Sequence, residues 1–211
     1  MDKELFEVNT AALSEYIVKD LLPIIGLGTY PLNELMLMTA TIYRLRPTHI
    51  IEWGTNIGKS ARIFYETIKK FNIPSEIHSI DLPDNVNHSE HPREHMGKLV
   101  RDIAAVKLHL GDGLDTAIKI AEQISGECRL LFFVDGDHYY NSVYREISTL
   151  MTKFPEHNIL AHDTFNQCSK SGYYTGPFMA IQDALVNIPN DFCVLDTNLG
   201  CPGMTLLYHL F

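Results

Sequence analysis

Long hydrophobic runs are missing from this 211-residue chain. No apolar stretch reaches the roughly 18 residues that a membrane span needs, so a membrane partner is not expected. The first ten residues, MDKELFEVNT, lack the basic and apolar regions of a secretory leader, and a cytoplasmic location is the expectation. Basic clusters are missing too. With 17 Lys and Arg against 26 Asp and Glu, the formal net charge is −9. No patch is available to neutralise phosphates, which excludes nucleic acid as an expected partner. Cysteine is scarce: Cys128, Cys168, Cys193 and Cys201 contain no C-x-x-C pair and match no zinc spacing. Reduced thiols are expected. Repeats, low-complexity tracts and linkers are absent, and nothing in the composition decides against a homo-oligomer.

What is present is an ordinary globular composition, 45% hydrophobic and 20% charged, with length enough for one large core. Short apolar, β-branched runs read as buried strands: THIIEW (48–53), EIHSID (76–81), VKLHL (106–110), RLLFFVD (129–135) and NILAHD (158–163). They do not alternate, so both faces are expected to be covered, as in a parallel sheet. Helical periodicity fills the intervals: 32–45 after Pro31, 139–153, and the stretch after Pro177. Two further runs, DFCVLDT (191–197) and GMTLLYHL (203–210), are joined by too short a loop for a helix and must pair antiparallel. The expectation is a Rossmann-like, doubly wound α/β fold. Its seven-stranded sheet is mostly parallel and ends in an antiparallel C-terminal hairpin strand. Residues 31–211 form the main domain, and the weakly patterned residues 1–30 form a cap over the ligand or a partner surface.

The first strand ends in Glu52-Trp53-Gly54-Thr55-Asn56-Ile57-Gly58-Lys59-Ser60, a strand–glycine turn–helix of the kind that receives nucleotides. A dinucleotide needs G-x-G-x-x-G, and only Gly54 and Gly58 are here. A P-loop needs four residues between its glycines, where this turn has three, and Glu52 would repel phosphates. The third ligand is S-adenosylmethionine, whose ammonium and sulfonium favour an acid at the strand end. The pattern E-x-G-x-x-x-G supplies one. Asp81 ends the second strand, where a carboxylate can accept ribose hydroxyls. Asp112, in Gly111-Asp112-Gly113, can reach the adenine amino group. The plainer alternative is that these acids cap helices. The expected cofactor contacts are Glu52, Gly54, Thr55, Gly58, Ser60, Asp81, Leu82, Gly111, Asp112, Gly113 and Asp135.

IIEWGTNIGKSARIF, EIHSIDLPD, LHLGDGLDTA, LLFFVDGDHYYNSVYREI and ILAHDTF follow one another in order. Together they resemble the class I methyltransferases of family 24, also described as cephalosporin hydroxylase-like. Macrolide-sugar and catechol-type O-methyltransferases are more distantly similar. The resemblance covers about residues 30–210, and its most specific piece is Asp135-Gly136-Asp137-His138-x-Tyr140-x-x-Val143. It implies O-methylation of a small-molecule hydroxyl. Asp135 and Asp163 end neighbouring strands and suit magnesium or another divalent cation. In the resembling enzymes a pair at the 162–163 position completes the ligand set. Here that pair is His162-Asp163, followed by Thr164, instead of an acid beside a second acid or an asparagine. The metal set is therefore Asp135, Asp163 and His162, and the catalytic set is His138, Asp135 and Asp163. His138 is expected to accept the hydroxyl proton. The alternative without metal is that these acids cap helices or bind substrate.

Two stretches stay outside this scheme. His88, His91 and His95 crowd 82–97 and read as a surface loop more than a zinc site. SKSGYYTGP (169–177), with Tyr173 and Tyr174, reads as a substrate lid or a plain loop. Two other functions remain open: a non-catalytic S-adenosylmethionine-binding partner or sensor and, further off, an NTPase.

Overall fold

All five residues of two central strands, β4 (Leu130–Val134) and β5 (Asn158–His162), are buried. Strands covered on both faces are what their unbroken apolar runs require. The computed structural model describes residues 5–83, 86, 93–166, 175–197 and 199–209. His88, His91, Cys168, Tyr173 and Tyr174 therefore lie outside the described residues. Seven strands make one mixed sheet, mostly parallel with antiparallel C-terminal strands and flanked by helices, as expected. The chain divides into two compact units, one running to Leu130 and the other from Leu131 to His209.

The first unit holds β1 (His49–Trp53), β2 (Glu76–Asp81) and β3 (Val106–Leu110), all parallel, with β2 in the middle. Pleating sends Ile77, Ser79 and Asp81 to one face of β2 and Glu76, His78 and Ile80 to the other. Helices α3 (Leu32–Leu45), α4 (Lys59–Lys70) and α5 (Gly113–Gln123) belong to this unit. The amides of Glu34 and Leu35 bond the Pro31 carbonyl to start α3. Arg46, in the left-handed region at φ 46°, ends it directly before Pro47, whose ring disfavours a helical residue in front of it.

Residues expected to be weakly patterned fold into helices as well. Asn9 caps α1 (Thr10–Tyr16) by accepting the Ala12 N–H at 3.0 Å. A single π-helical stretch, Ile17–Leu21, then leads into α2 (Leu22–Ile25). The wider turn rotates the apolar face, which blurs a 3.6-residue period. Leu13, Tyr16, Ile17, Leu21 and Ile25 are nonetheless buried, and Tyr16 meets Phe71 edge to face at 5.3 Å.

In the second unit β4 runs parallel to β5, β5 pairs antiparallel with β7 (Met204–Tyr208), and β7 with β6 (Cys193–Asp196). The C-terminal hairpin is as expected. Helices α6 (Tyr140–Lys153) and α7 (Gly176–Asn187) pack together. No described helix is long and apolar enough to cross a membrane. Cys128, Cys193 and Cys201 are free thiols.

Candidate functional site

In the first unit, Glu52 is buried at the end of β1. Ser79, one strand over on β2, donates to Glu52 Oε1 at 2.5 Å, and the Thr55 hydroxyl lies 2.7 Å from Ser79 Oγ. Because the Ser79 proton points at the carboxylate, Thr55 is the donor in the second contact. The order Thr55 to Ser79 to Glu52 thus fixes the carboxylate from below the turn. Gly54 at φ 94° and Gly58 at φ 84° lie in the left-handed region. A Cβ on Gly58 would also come within 2.7 Å of Val100 Cγ2.

Four amides of this turn are spent on the chain itself. Gly54 N–H and Thr55 N–H reach the Ile80 carbonyl at 3.0 and 3.4 Å, and Gly58 N–H reaches Thr55 O at 2.7 Å. Asn56 N–H goes to Asp81 Oδ2 at 3.0 Å. A phosphate cradle needs those donors pointing outward, and here they are not. Ser60 is buried in the first turn of α4, and Leu82 is exposed.

Asp81 carries three donors of its own chain. Beyond Asn56, its Oδ1 accepts the Leu82 N–H at 2.7 Å and Arg93 Nη1 at 2.9 Å, while Arg93 Nη2 bonds the Leu82 carbonyl. Asp112 caps α5, accepting the Asp115 N–H at 2.9 Å. This is the plainer alternative that the sequence left open, and a cap does not consume every acceptor site of a carboxylate. Gly113 is tightly packed: a Cβ there would stand 2.5–2.8 Å from the Trp53 side chain.

In the second unit the fold brings four sequence-singled residues together. His162 Nδ1 lies 3.0 Å from Asp135 Oδ1 and 3.3 Å from Asp163 Oδ2. His138 Nε2 lies 2.9 Å from Asp163 Oδ2. Asp163 is buried and held at φ 59°, a left-handed conformation that Asp tolerates better than most residues. Its neighbours are pinned: Thr164 N–H reaches Gly203 O at 3.1 Å and Phe165 N–H reaches Pro202 O at 3.0 Å. The hydrogen bond with Asp163 raises the His138 pKa above its ordinary value, against the opposing effect of burial.

Among the described residues, Asp135, His162 and Asp163 are the one group of three that could hold a metal, with ligand atoms within 4.8 Å of one another. Bonds of about 2.1 Å at right angles would place neighbouring ligands about 3 Å apart. The 3.0 and 3.3 Å edges fit that requirement. Two hard carboxylates with one imidazole also suit a first-row divalent ion.

Sequence reasoning did not single out Ser79, Asn56 or Arg93. A signal existed for Ser79: it is the one small polar residue of β2, two positions before Asp81 and so on the same face. No such signal marks Arg93, twelve residues from its partner. His95, from the histidine-rich stretch, lies in a short 3-10 turn, Arg93–His95, 3.5 Å from Glu94.

A family model described as a methyltransferase domain, family 24, matches residues 51–164, more than half of the chain. No curated protein matches the sequence. Solved structures share the fold. The methyltransferase PaMTH1 of Podospora anserina, with S-adenosylhomocysteine bound, is 18% identical over 98% of this chain and 90% of that one, at a TM-score of 0.58. The O-methyltransferase TomG of Streptomyces achromogenes, with S-adenosylmethionine bound, is 13% identical over 96% and 90%, at 0.59. A cmcI protein holding magnesium and S-adenosylmethionine is 15% identical over 85% and 72%, at 0.56. With this match and this sheet, the chain belongs to the family 24 methyltransferases and has the class I methyltransferase fold.

Proposed function

We propose that the protein moves the methyl group of S-adenosylmethionine onto a hydroxyl oxygen of a small molecule, assisted by a divalent cation. The observation that carries this reading is the grouping of Asp135, His138, His162 and Asp163 at and just after the ends of β4 and β5. The names of TomG, an O-methyltransferase, and of the magnesium-holding cmcI protein support it.

Glu52, Asp81 and Asp112 are the donor's polar anchors. Gly54, Thr55, Gly58, Ser60, Leu82, Gly111 and Gly113 shape the backbone around it, and Asp135 is the last of the proposed contacts. Asp135, Asp163 and His162 would hold the cation, which when bound supplies Lewis-acid polarisation of the acceptor hydroxyl. With Nε2 of His138 committed to Asp163, Nδ1 is the nitrogen that takes the hydroxyl proton. The oxygen then forms its bond to the methyl carbon as the carbon–sulfur bond breaks, leaving S-adenosylhomocysteine. Alignment of the two reactants supplies much of the acceleration. Residues 1–30 act as a cap on the 31–211 domain, and the buried side chains of α1 and the π-helical stretch support that role.

The test is titration calorimetry with S-adenosylhomocysteine, followed by turnover with phenols and sugars in the presence and absence of magnesium. Uptake together with magnesium-dependent product supports the reading. Uptake without product from any acceptor favours a non-catalytic binding partner. Uptake of ATP in its place ends the reading.

A further inference from the structure

Five cations of the first unit sit in ion pairs, and the other described lysines of that unit, Lys69, Lys98 and Lys119, are exposed, Lys59 apart. Lys19 meets Glu15 at 2.6 Å, Lys70 meets Asp20 at 2.5 Å, Lys107 meets Glu76 at 2.6 Å, Arg62 meets Glu66 at 2.8 Å and Arg93 meets Asp81 at 2.9 Å. Lys59 differs. It is half-buried and makes no ion pair among the described residues. It is the first residue of α4, directly after Gly58 of the glycine turn. A cation at a helix N-terminus is set against the dipole, and a half-buried ammonium without a counter-charge is costly. Burial alone pushes the Lys59 amine below its ordinary pKa.

The position of its head group is also specific. Lys59 Nζ lies over the Gly28 backbone, 2.9 Å from where a Cβ on that glycine would stand. Meanwhile the amides of Gly54, Thr55, Asn56 and Gly58 are taken by the chain. Of the donors at this turn, the Lys59 ammonium is the one whose charge is not yet answered. An anion arriving here meets a point charge and a helix N-terminus, not a ring of amides. A single carboxylate suits that better than a phosphate chain.

We propose that Lys59, its ammonium lying over the Gly28 backbone, seats the carboxylate at the amino-acid end of the methyl donor. The proposal rests on the reading of the turn as an S-adenosylmethionine site and adds to it a residue for the one negative group that Glu52, an acid, cannot hold. Lys59 acts as a binding residue and has no part in the chemistry.

The experiment compares two ligands by calorimetry: S-adenosylhomocysteine, and 5′-methylthioadenosine, a thioether nucleoside without the amino-acid end. The proteins are the wild type, Lys59→Met, which keeps an unbranched apolar stem and loses the charge, and Lys59→Arg. Lys59→Met is expected to lose roughly 10- to 100-fold in affinity for S-adenosylhomocysteine, the scale of a charge-assisted hydrogen bond. Its affinity for methylthioadenosine should stay unchanged, which also shows that the variant folds. Lys59→Arg should recover much of the loss. Equal losses for both ligands, or an unchanged affinity for S-adenosylhomocysteine, would overturn the assignment. If the wild type takes up neither ligand, the donor reading itself fails and the assignment falls with it.

Discussion

The strand-end carboxylates of the two units are held by different kinds of donor. In the first unit, Asp81 is gripped by the amides of Asn56 and Leu82 and by Arg93, Asp112 by the amide of Asp115, and Glu52 by the Ser79 hydroxyl. In the second, Asp135 and Asp163 are met by the imidazoles of His162 and His138. Amide, hydroxyl and guanidinium protons do not come off near neutral pH, so the first set fixes carboxylates as acceptors. Imidazoles lose and gain protons in that range, so the second set can hand a proton on or give way to a cation. One set is built for holding and the other for exchange.

The largest effect should come from exchanging the neutral amide for the charge on each side. Asp163→Asn keeps the shape and tolerates the left-handed backbone at φ 59°. Turnover is expected to fall by about 100-fold or more, with S-adenosylhomocysteine binding nearly unchanged in calorimetry. Asp81→Asn should do the reverse, losing about tenfold in binding, the scale of one hydrogen bond to a charged group. If both variants lose binding and turnover in parallel, the contrast between the two units is wrong.

Two glycines sharpen the same contrast through stability. A methyl on Gly203 would stand 2.5 Å from the Phe165 amide nitrogen, and its φ of 83° disfavours alanine in any case. A methyl on Gly113 would meet the Trp53 ring at 2.5 Å, a side chain that can yield somewhat. Gly203→Ala should therefore lower the melting temperature more than Gly113→Ala, each costing about 1–3 kcal/mol as overpacking does. Trp53 is the sole tryptophan, so its emission reports on the first unit. It should shift in Gly113→Ala and hold in Gly203→Ala.

His138 of the second unit titrates with the opposite sign to the buried histidines of the first unit. Burial pushes His78 down to about 4, and His49 and His109, in the same cluster, are lowered by burial as well. His78 Nδ1 lies 3.0 Å from His109 Nε2. Neutral imidazoles are favoured in the folded state, so their contribution is complete above the unfolded pKa of about 6.5 and is lost as pH falls toward 4. His138, raised by Asp163, contributes fully below about 6.5, and that contribution is lost as pH rises through its folded pKa. Chemical denaturation across pH should show His78→Gln flattening the acid limb and His138→Gln flattening the neutral limb. A flattening of the same limb by both would remove the distinction.

The fold was legible because strands covered on both faces must be continuously apolar, as LLFFV in β4 is, and because the loop before GMTLLYHL is too short for a crossover. The meeting of Asp135, His138, His162 and Asp163 was legible for a related reason: parallel strands end at one edge, so residues at those ends converge. Contacts set by loop paths were not legible. Arg93 reaches Asp81 only because the chain from Gly97 to Leu99 is tied to the glycine turn, Gly97 N–H to Asn56 O at 2.7 Å and Leu99 N–H to Ile57 O at 2.9 Å. The helical N-terminus was hidden by its π-helical stretch, which breaks the period that reveals a helix. Asp112 fitted two readings at once, since a helix cap and a ligand acceptor call for the same residue type.

The smallest effect tests how firmly the first set holds. A carboxylate offers about four acceptor sites. On Asp81, Oδ1 already serves Leu82 and Arg93, and Oδ2 serves Asn56. A ribose diol needs one acceptor from each oxygen, so it must compete with Arg93, the one donor of the three that is not a backbone amide. Arg93→Ala should therefore bind S-adenosylhomocysteine a few-fold more tightly than the wild type, the scale of a partly exposed ion pair. Raising the salt concentration should narrow the gap by weakening the wild-type ion pair. Weaker binding in Arg93→Ala would mean that the guanidinium orients the carboxylate for the ligand and does not compete with it.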